Sequence, residues 1–197
     1  MNMPVSPKMM LFAVSTLVLS SLSACSSEPS SHTAELMEER AAREAAENSK
    51  PDLLIEIVGS DSSLSTLERA VLASGVAEEL RSQGPFTGFA PDNAAFEKLG
   101  PEKLAELLAP EEKENLAKLV KNHIVSGTLK SSDIMQAIDD GGGSMTFLTL
   151  NGGQLKATRS GEDIVLQDDR GNRSTLTNES EAKNGILYTV DTVLNPN

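Results

Sequence analysis

Few side chains in this sequence have the types and spacing that support chemistry. The 197 residues include one cysteine and two histidines. His123 could act as a general base only beside a nucleophile, but the chain has no Gly-x-Ser-x-Gly elbow and its one thiol, Cys25, lies near the N-terminus. One histidine without further thiols does not make a zinc set. We therefore predict no catalytic site, no metal site and no cofactor, and we do not expect an enzyme.

Acidic residues and glycines form patterns that could be mistaken for ligand sites. Asp168-Asp169, followed by Gly171 and Asn172, could suggest calcium, but the segment lacks the spaced oxygen ligands and terminal glutamate of an EF-hand. A polar hairpin turn is the better interpretation. The glycines at 141–143 precede a strand rather than the helix that a phosphate loop requires. Two carboxylates could still meet in space for hydrolysis, although the sequence singles out no pair.

The cysteine follows a segment that is typical of protein export. Lys8 supplies a positive charge, residues 9–19 form an apolar run, and small residues lead into Cys25. The run is too short to span a bilayer comfortably, so we predict a signal peptide over residues 1–24 rather than a transmembrane helix. The alternative is an ordinary secretory signal in which the cysteine is incidental.

Leu22-Ser23-Ala24-Cys25 resembles the lipobox of bacterial lipoproteins. The resemblance implies cleavage before Cys25, acylation of its thiol with chains such as palmitate, and a durable membrane anchor. Ser26 stands where an aspartate would suggest retention at the inner membrane, so the outer membrane is favoured where one exists. We expect a protein of the bacterial cell envelope, lipid-anchored at the outer membrane or periplasm or at the cell surface.

Charge and composition exclude several classes of partner. The formal net charge is −12, and loss of residues 1–24, whose one charged side chain is Lys8, makes it −13. Such a chain does not bind nucleic acid through phosphate neutralisation and is not attracted to anionic lipid headgroups. Aromatic residues make up 3% of the chain and tryptophan is absent, which weakens any proposal of a surface that stacks bases or sugars. The lipid must therefore hold the protein at the membrane.

The elements that position His123 follow from hydrophobic periodicity. Residues 25–50 are expected to form a tether, with a serine-rich start and an Ala/Glu/Arg helix over 33–48 that has no core-facing stripe. Apolar residues at helical spacing then predict a helical half that begins at residue 51 and breaks at Gly75. Its last helix carries Leu116, Leu119, Val120 and His123 on one face.

The second half of the sequence changes to short strands. One helix is predicted from Ser131 to Ile138, and it ends at the glycines that follow. Strands are predicted over 86–90, where Pro91 stops the first one, and over 146–150, 154–158, 164–167, 173–177 and 185–190. Helices followed by an antiparallel meander favour an α+β fold in one domain, residues 51–197.

Three stretches of this domain resemble the fasciclin domain. Residues 84–96 (GPFTGFAPDNAAF) are similar to the first box of that family, and residues 184–194 (NGILYTVDTVL) are similar to the second. Between them, His123-Ile124-Val125-Ser126-Gly127 matches the family's short histidine motif. The resemblance implies N-terminal helices packed on a mainly antiparallel β-wedge, and an adhesion module.

Most motif residues are expected to be structural. The phenylalanines should bury large apolar areas, and Asn184-Gly185 should form a tight turn before the last strand. The structural set is Phe86, Phe89, Pro91, Asn93, Phe96, Asn184, Gly185 and Asp191. The histidine motif supplies the candidate partner-binding residues His123, Ile124 and Val125. The alternative for His123 is a buried ring whose nitrogens bond backbone groups.

The sequence departs from the family pattern at three positions. Gly88 stands where an apolar residue is usual, which predicts a weaker strand or a close backbone approach. Asn122 replaces the tyrosine of animal adhesion members, so integrin binding is not expected. Tyr188 replaces a common histidine of the second box.

These observations predict a lipid-anchored adhesion or interaction module that binds an envelope or extracellular protein or polysaccharide. One alternative is a carrier of a small apolar ligand between the helices and the sheet, which requires an apolar pocket there. The other is a carboxylate-based hydrolase, which requires two close acids in a cleft.

Overall fold

The computed structural model describes residues 31–48, 50–82 and 84–194. The predicted signal peptide and Cys25 lie outside these residues. The chain divides into two units, residues 1–41 and 42–197. In the first unit the described residues belong to helix α1 (Ser31–Asn48), on which Leu36 and Met37 are exposed.

The described part of the second unit has a helical half followed by a sheet, and the α+β prediction is confirmed. After α1, the described helices are α2 (Leu54–Ser60), α3 (Ser65–Ser74), α4 (Ala77–Leu80), α5 (Asn93–Glu97), α6 (Pro101–Leu107), α7 (Lys113–Asn122) and α8 (Ser131–Asp140). Short 3-10 turns occur at Ser62–Leu64 and Pro110–Glu112. The strands are β1 (Phe86–Pro91), β2 (Ile124–Ser126), β3 (Ser144–Leu148), β4 (Gln154–Ser160), β5 (Asp163–Gln167), β6 (Arg173–Ala182) and β7 (Gly185–Val190).

The seven strands form one sheet in the order β2-β1-β7-β6-β5-β4-β3. All neighbours are antiparallel except β1 and β7, which pair in parallel from Phe86↔Gly185 to Pro91↔Val190. The two ends of the sheet meet, because Val125 of β2 bridges Thr149, the residue after β3. The Leu150 N–H donates to the Ile124 carbonyl at 2.8 Å beside this bridge. We call this junction the β2–β3 seam.

Two cores lie on opposite sides of β1 and β7. One lies between the sheet and helices α2–α7, and the other lies inside the curled sheet under α8. Side chains alternate across a strand, so Leu187 packs in the helical core while Ile186 and Tyr188 pack in the sheet core. Both faces of these central strands are therefore buried, which explains their nearly continuous apolar sequence.

Several sequence-based boundaries are corrected by the structure. Pro91 was expected to stop the first strand, but it is the last residue of β1, where it pairs with Val190. Strand β6 extends to Ala182 rather than residue 177, because a register shift between Leu176 and Glu179 lets pairing with β7 resume. The residues of the histidine motif include a strand, β2, that the pattern did not predict.

Candidate functional site

His123 lies at the C-terminal end of α7 and is 3% exposed. Its Nδ1 lies 2.8 Å from the Leu119 carbonyl oxygen, and its Nε2 lies 3.0 Å from the Leu194 backbone nitrogen. Since a carbonyl accepts and an N–H donates, the ring carries its proton on Nδ1 and accepts at Nε2. Both nitrogens are used by the backbone, as the alternative interpretation predicted.

Burial lowers the pKa of the His123 imidazole from 6.5 to about 4, and its hydrogen bond to Leu119 only partly opposes this shift. Loss of solvation disfavours a charged ring more than one carbonyl partner stabilises it. The ring is therefore neutral at neutral pH. With its lone pair occupied by the Leu194 N–H, it has no basic atom left for catalysis or metal binding.

The predicted partner-binding residues His123, Ile124 and Val125 all have buried side chains. Ile124 is 4% exposed and packs in the helical core, whereas Val125 is 5% exposed and packs in the sheet core. Alternation along β2 sends the two side chains into different cores. The three residues join the cores, and they offer no side-chain surface to a partner.

The first box connects the two cores through its phenylalanines. Phe89 lies in the sheet core, where its ring stacks on Tyr188 with centroids 5.9 Å apart, and 6.2 Å from Phe147. Phe96 is buried in the helical core and Phe86 packs against it. Gly88 marks a close approach, since a Cβ there would lie 2.8 Å from Leu187 Cδ1.

Polar residues of the first box hold helix ends. Asp92 caps α5 by accepting the Ala95 N–H at 2.6 Å. Asn93 accepts the Thr66 N–H at 3.0 Å and donates to the Ser62 carbonyl at 2.9 Å. The first N–H groups of a helix lack partners within it, so Asn93 satisfies a free donor of α3 while tying α5 to it.

The second box opens with a turn whose two residues are both constrained by their surroundings. Asn184 is buried, and its amide accepts the Leu54 N–H at 2.8 Å and donates to the Leu80 carbonyl at 3.0 Å. It thereby links the start of α2 to the end of α4. Gly185 has φ +155°, and a Cβ there would lie 2.0 Å from the Phe86 carbonyl oxygen. The parallel pairing of β1 and β7 therefore requires glycine at this position.

Asp191 holds the start of β6 against the segment after β7. Its Oδ1 accepts from the Thr175 N–H at 2.8 Å and from the Ser174 hydroxyl at 3.0 Å. Partial burial alone would raise the pKa of this carboxyl, but these donors, together with Lys98, outweigh burial and lower its pKa. Asp191 is therefore ionised and structural.

Sequence reasoning missed the residues that fix the loop after β2. Thr87 is fully buried, donates to the Gly127 carbonyl at 2.6 Å and accepts the Leu129 N–H at 3.0 Å. The Tyr188 hydroxyl donates to the Leu129 carbonyl at 2.8 Å, and burial raises its pKa well above the usual range. A threonine on the inward face of a predicted strand was the available signal. The family's common histidine is tyrosine at position 188, and this tyrosine contributes an uncharged hydrogen-bond donor to the segment before α8.

Among the described residues, free volume is small in the helical core and larger at the surface. Between the helices and the central strands the free volume is about 30 Å³, well below the ~300 Å³ of a small ligand-binding site. A larger cleft of about 330 Å³, which we call the polar cleft, opens at the surface. It is lined by Lys118, Asn122, Asn151, Gly152, Gly153, Gln154, Leu155, Asp168, Asp169, Arg170 and Leu194.

The carboxylate of Asp168 in the polar cleft is bonded within its own turn. Asp168 Oδ1 accepts the backbone N–H groups of Arg170 and Asn172, at 2.9 and 2.8 Å, and Oδ2 accepts the Asn172 side-chain amide. These bonds form the polar hairpin turn that the sequence predicts. Within the described residues no group of three or more His, Cys, Asp or Glu side chains is arranged to hold a metal ion. No described helix combines the length and apolarity needed to cross a membrane.

Comparison with known proteins gives consistent relationships. The family model described as the fasciclin domain matches residues 62–196. An uncharacterised protein of Synechocystis, sll1735, is 31% identical over 144 residues, which cover 72% of this chain and 96% of that protein. Human periostin is 30% identical over 143 residues, which cover 72% of this chain but only 15% of periostin.

A solved structure shares the fold. A fasciclin domain pair from the insect cell adhesion molecule fasciclin I superposes with a TM-score of 0.67 at 17% identity, covering 74% of this chain and 52% of that one. The three motifs, the helices on a largely antiparallel sheet and the family match over residues 62–196 agree. The chain therefore belongs to the fasciclin domain family.

Proposed function

We propose that the protein is a lipid-anchored interaction module of the bacterial cell envelope, whose fasciclin domain binds a protein or matrix partner without catalysis. One observation carries the proposal: internal contacts occupy the polar motif residues. Both ring nitrogens of His123 and both amide atoms of Asn184 bond the backbone. The motifs build the domain, and recognition is left to its exposed loops and helix faces.

Fasciclin I, the insect protein whose domain pair shares this fold, is a cell adhesion molecule. Its fold likeness and the family match support a binding role over an enzymatic one. The carrier alternative loses support because the space between helices and sheet is about 30 Å³. The hydrolase alternative loses support because Asp168 is bonded within its own turn.

The proposed anchor sets the reach of the module. Cys25 would carry the lipid, and the mature chain would reach its fasciclin domain through residues 25–50. Helix α1 contributes 18 residues, which at 1.5 Å per residue amount to ~27 Å.

A binding experiment tests the proposal. The compact unit 42–197, immobilised as bait, is presented with detergent-solubilised envelope from sibling cells, with isolated envelope polysaccharide and with whole cells. We expect one protein in fixed ratio, one polysaccharide, or cell clumping. Failure of all three with bait at micromolar concentration would refute the interaction function.

Paired variants then locate the surface. Lys118→Ser removes an exposed cation from the polar cleft, and Lys103→Ser removes one from α6, on the helical half. Both substitutions change the net charge equally. Loss of binding in the first variant alone places recognition at the polar cleft, whereas equal binding in both variants places it elsewhere.

A further inference from the structure

The chain contains two Asn-Gly pairs in very different surroundings. Asn184-Gly185 is buried, as described above. Asn151-Gly152 lies at the exposed tip of the turn between β3 and β4, where Gly152 has φ +82°. In an Asn-Gly pair the glycine has no Cβ to obstruct attack of its own backbone nitrogen on the preceding side-chain amide. Exposure and backbone freedom therefore decide which pair reacts.

We propose that Asn151 is a site of spontaneous deamidation that changes the polar cleft and loosens the β2–β3 seam. The Gly152 backbone nitrogen loses its proton and forms a bond to Asn151 Cγ. The bond from Cγ to Nδ2 breaks, and ammonia leaves with the proton that water returns. Water then opens the five-membered imide at either carbonyl, which leaves aspartate or a β-linked isoaspartate at position 151. No enzyme, oxidant or metal takes part.

Asn184 is protected by its contacts. Its Oδ1 accepts the Leu54 N–H and its Nδ2 donates to the Leu80 carbonyl, so rotation of the amide toward Gly185 breaks two buried hydrogen bonds. Breaking each leaves an unsatisfied buried group. Asn151 has an exposed side chain, and water can solvate the leaving ammonia and the imide.

One contact opposes the reaction at Asn151. The Gly152 N–H donates to the Thr149 carbonyl at 2.9 Å, and this bond must break before the nitrogen can attack. The turn is exposed at residues 151 and 152, so water replaces the lost partner. An exposed hydrogen bond contributes little net free energy. The bond from Gly152 to Thr149 therefore slows the reaction without preventing it.

The position of the turn gives the modification a consequence. The Thr149 N–H donates to the Gly153 carbonyl at 2.9 Å, and Thr149 is the residue that bridges Val125. Isoaspartate adds one carbon to the main chain between residues 149 and 153, so the bond that closes the turn no longer fits. Either product also adds a negative charge to the wall of the polar cleft, which already contains Asp168 and Asp169.

The test ages the full-length purified chain in mildly alkaline buffer and maps the peptides that contain residues 151 and 184 by mass spectrometry. A parallel sample is kept unfolded in urea. We expect residue 151 to deamidate in the folded protein at a rate within about tenfold of its rate in urea. Residue 184 should deamidate more than about tenfold more slowly in the folded protein than in urea. A tenfold difference in rate corresponds to ~1.4 kcal/mol in the activation barrier. If folding slows residue 151 as much as residue 184, the hydrogen bond to Thr149 controls the site and the proposal is overturned.

A matched variant tests the structural consequence. Asn151→Gln keeps an exposed amide but requires a slower six-membered ring, so it should not age at this position. Hydrogen exchange at the Thr149 and Leu150 N–H groups should accelerate in aged wild-type protein and stay constant in aged N151Q. Equal exchange in the two aged proteins would overturn the proposed loosening of the β2–β3 seam. The outcome does not depend on any partner, so it is separable from the interaction function.

Discussion

His123 should make the stability of this domain fall in mild acid. Its pKa is about 4 in the folded protein and 6.5 as an ordinary imidazole. Between these values the unfolded chain binds a proton that the folded chain does not, so stability decreases as pH falls. The contribution is complete above about pH 6.5 and lost progressively down to about pH 4. Integrating over one proton, we expect a loss of ~2 kcal/mol between pH 7 and pH 5.

The physical cause is the pair of backbone contacts. Protonation of Nε2 would remove the acceptor of the Leu194 N–H and leave a charge inside the core. A buried donor without a partner and an unpaired buried charge are both unfavourable. The folded state therefore resists protonation until the pH lies well below the ordinary value of histidine.

Urea unfolding of wild type and His123→Gln at pH 7 and pH 5 measures the effect. The glutamine variant should be less stable at both pH values, because its amide cannot match both contacts. The informative quantity is the change between the two pH values, which should be ~2 kcal/mol larger in wild type. Both proteins contain His32 and the carboxylates with lowered pKa values, such as Asp191 and Glu181, so the pH dependence from these groups cancels in the comparison.

An equal change in the two proteins would refute the burial argument. A direct titration covers the case in which the variant does not fold. The imidazole resonances of wild-type His123, followed by NMR, should not titrate between pH 7.5 and pH 5, because the folded pKa is about 4. A midpoint near the ordinary 6.5 would show that the ring is solvated.

The remaining predictions concern the second box and the anchor. Gly185→Ala places a Cβ 2.0 Å from the Phe86 carbonyl oxygen, so we expect a loss of at least ~3 kcal/mol or no folded protein, measured by circular dichroism and urea unfolding. Asn184→Ala leaves the Leu54 N–H and the Leu80 carbonyl unpaired and should cost ~2–4 kcal/mol. The control Asn178→Ala, at an exposed position, should change stability by less than ~0.5 kcal/mol; equal losses would contradict the assigned contacts. Cys25→Ser should move the protein from the membrane fraction to the soluble fraction and abolish labelling with a palmitate analogue, and retention in the membrane fraction would contradict the lipid anchor.

Much of the fold could be predicted because it follows from local patterns. The helix that carries Leu116, Leu119 and Val120 was recognised from spacing alone, and Asp92 from its position before a short helix. Strand β2 was missed because it has three residues, too few to show a period. Strand β6 was shortened in the prediction because its polar residues beyond 177 resemble a loop; it pairs there only because β7 lies beside it.

The site was predicted less well, and for a physical reason. A family motif identifies residues that matter without saying whether they face a partner or the interior. Ile124 and Val125 are adjacent, and only the presence of a core on each side of β2 buries both. The burial of His123 could be suspected from its apolar helix face. Its Nε2 partner, Leu194, is distant in sequence and comes from the segment after β7.

The sequence by itself determined the acidic charge and the family and predicted the export signal and most of the order of elements, because each depends on residue type and short-range spacing. Tertiary structure alone decided which side chains are exposed to solvent or to a partner and which are held by internal contacts. In the folded protein the two ends of the sheet meet at Val125 and Thr149, and little free space is left between the helices and the sheet. The backbone partners of His123 place its ring proton on Nδ1. The two Asn-Gly dipeptides also differ only in the folded protein, where Asn184 is buried and Asn151 is exposed. Whether a side chain is exposed or buried depends on contacts between residues far apart in the chain, and those contacts exist only after the two cores have formed.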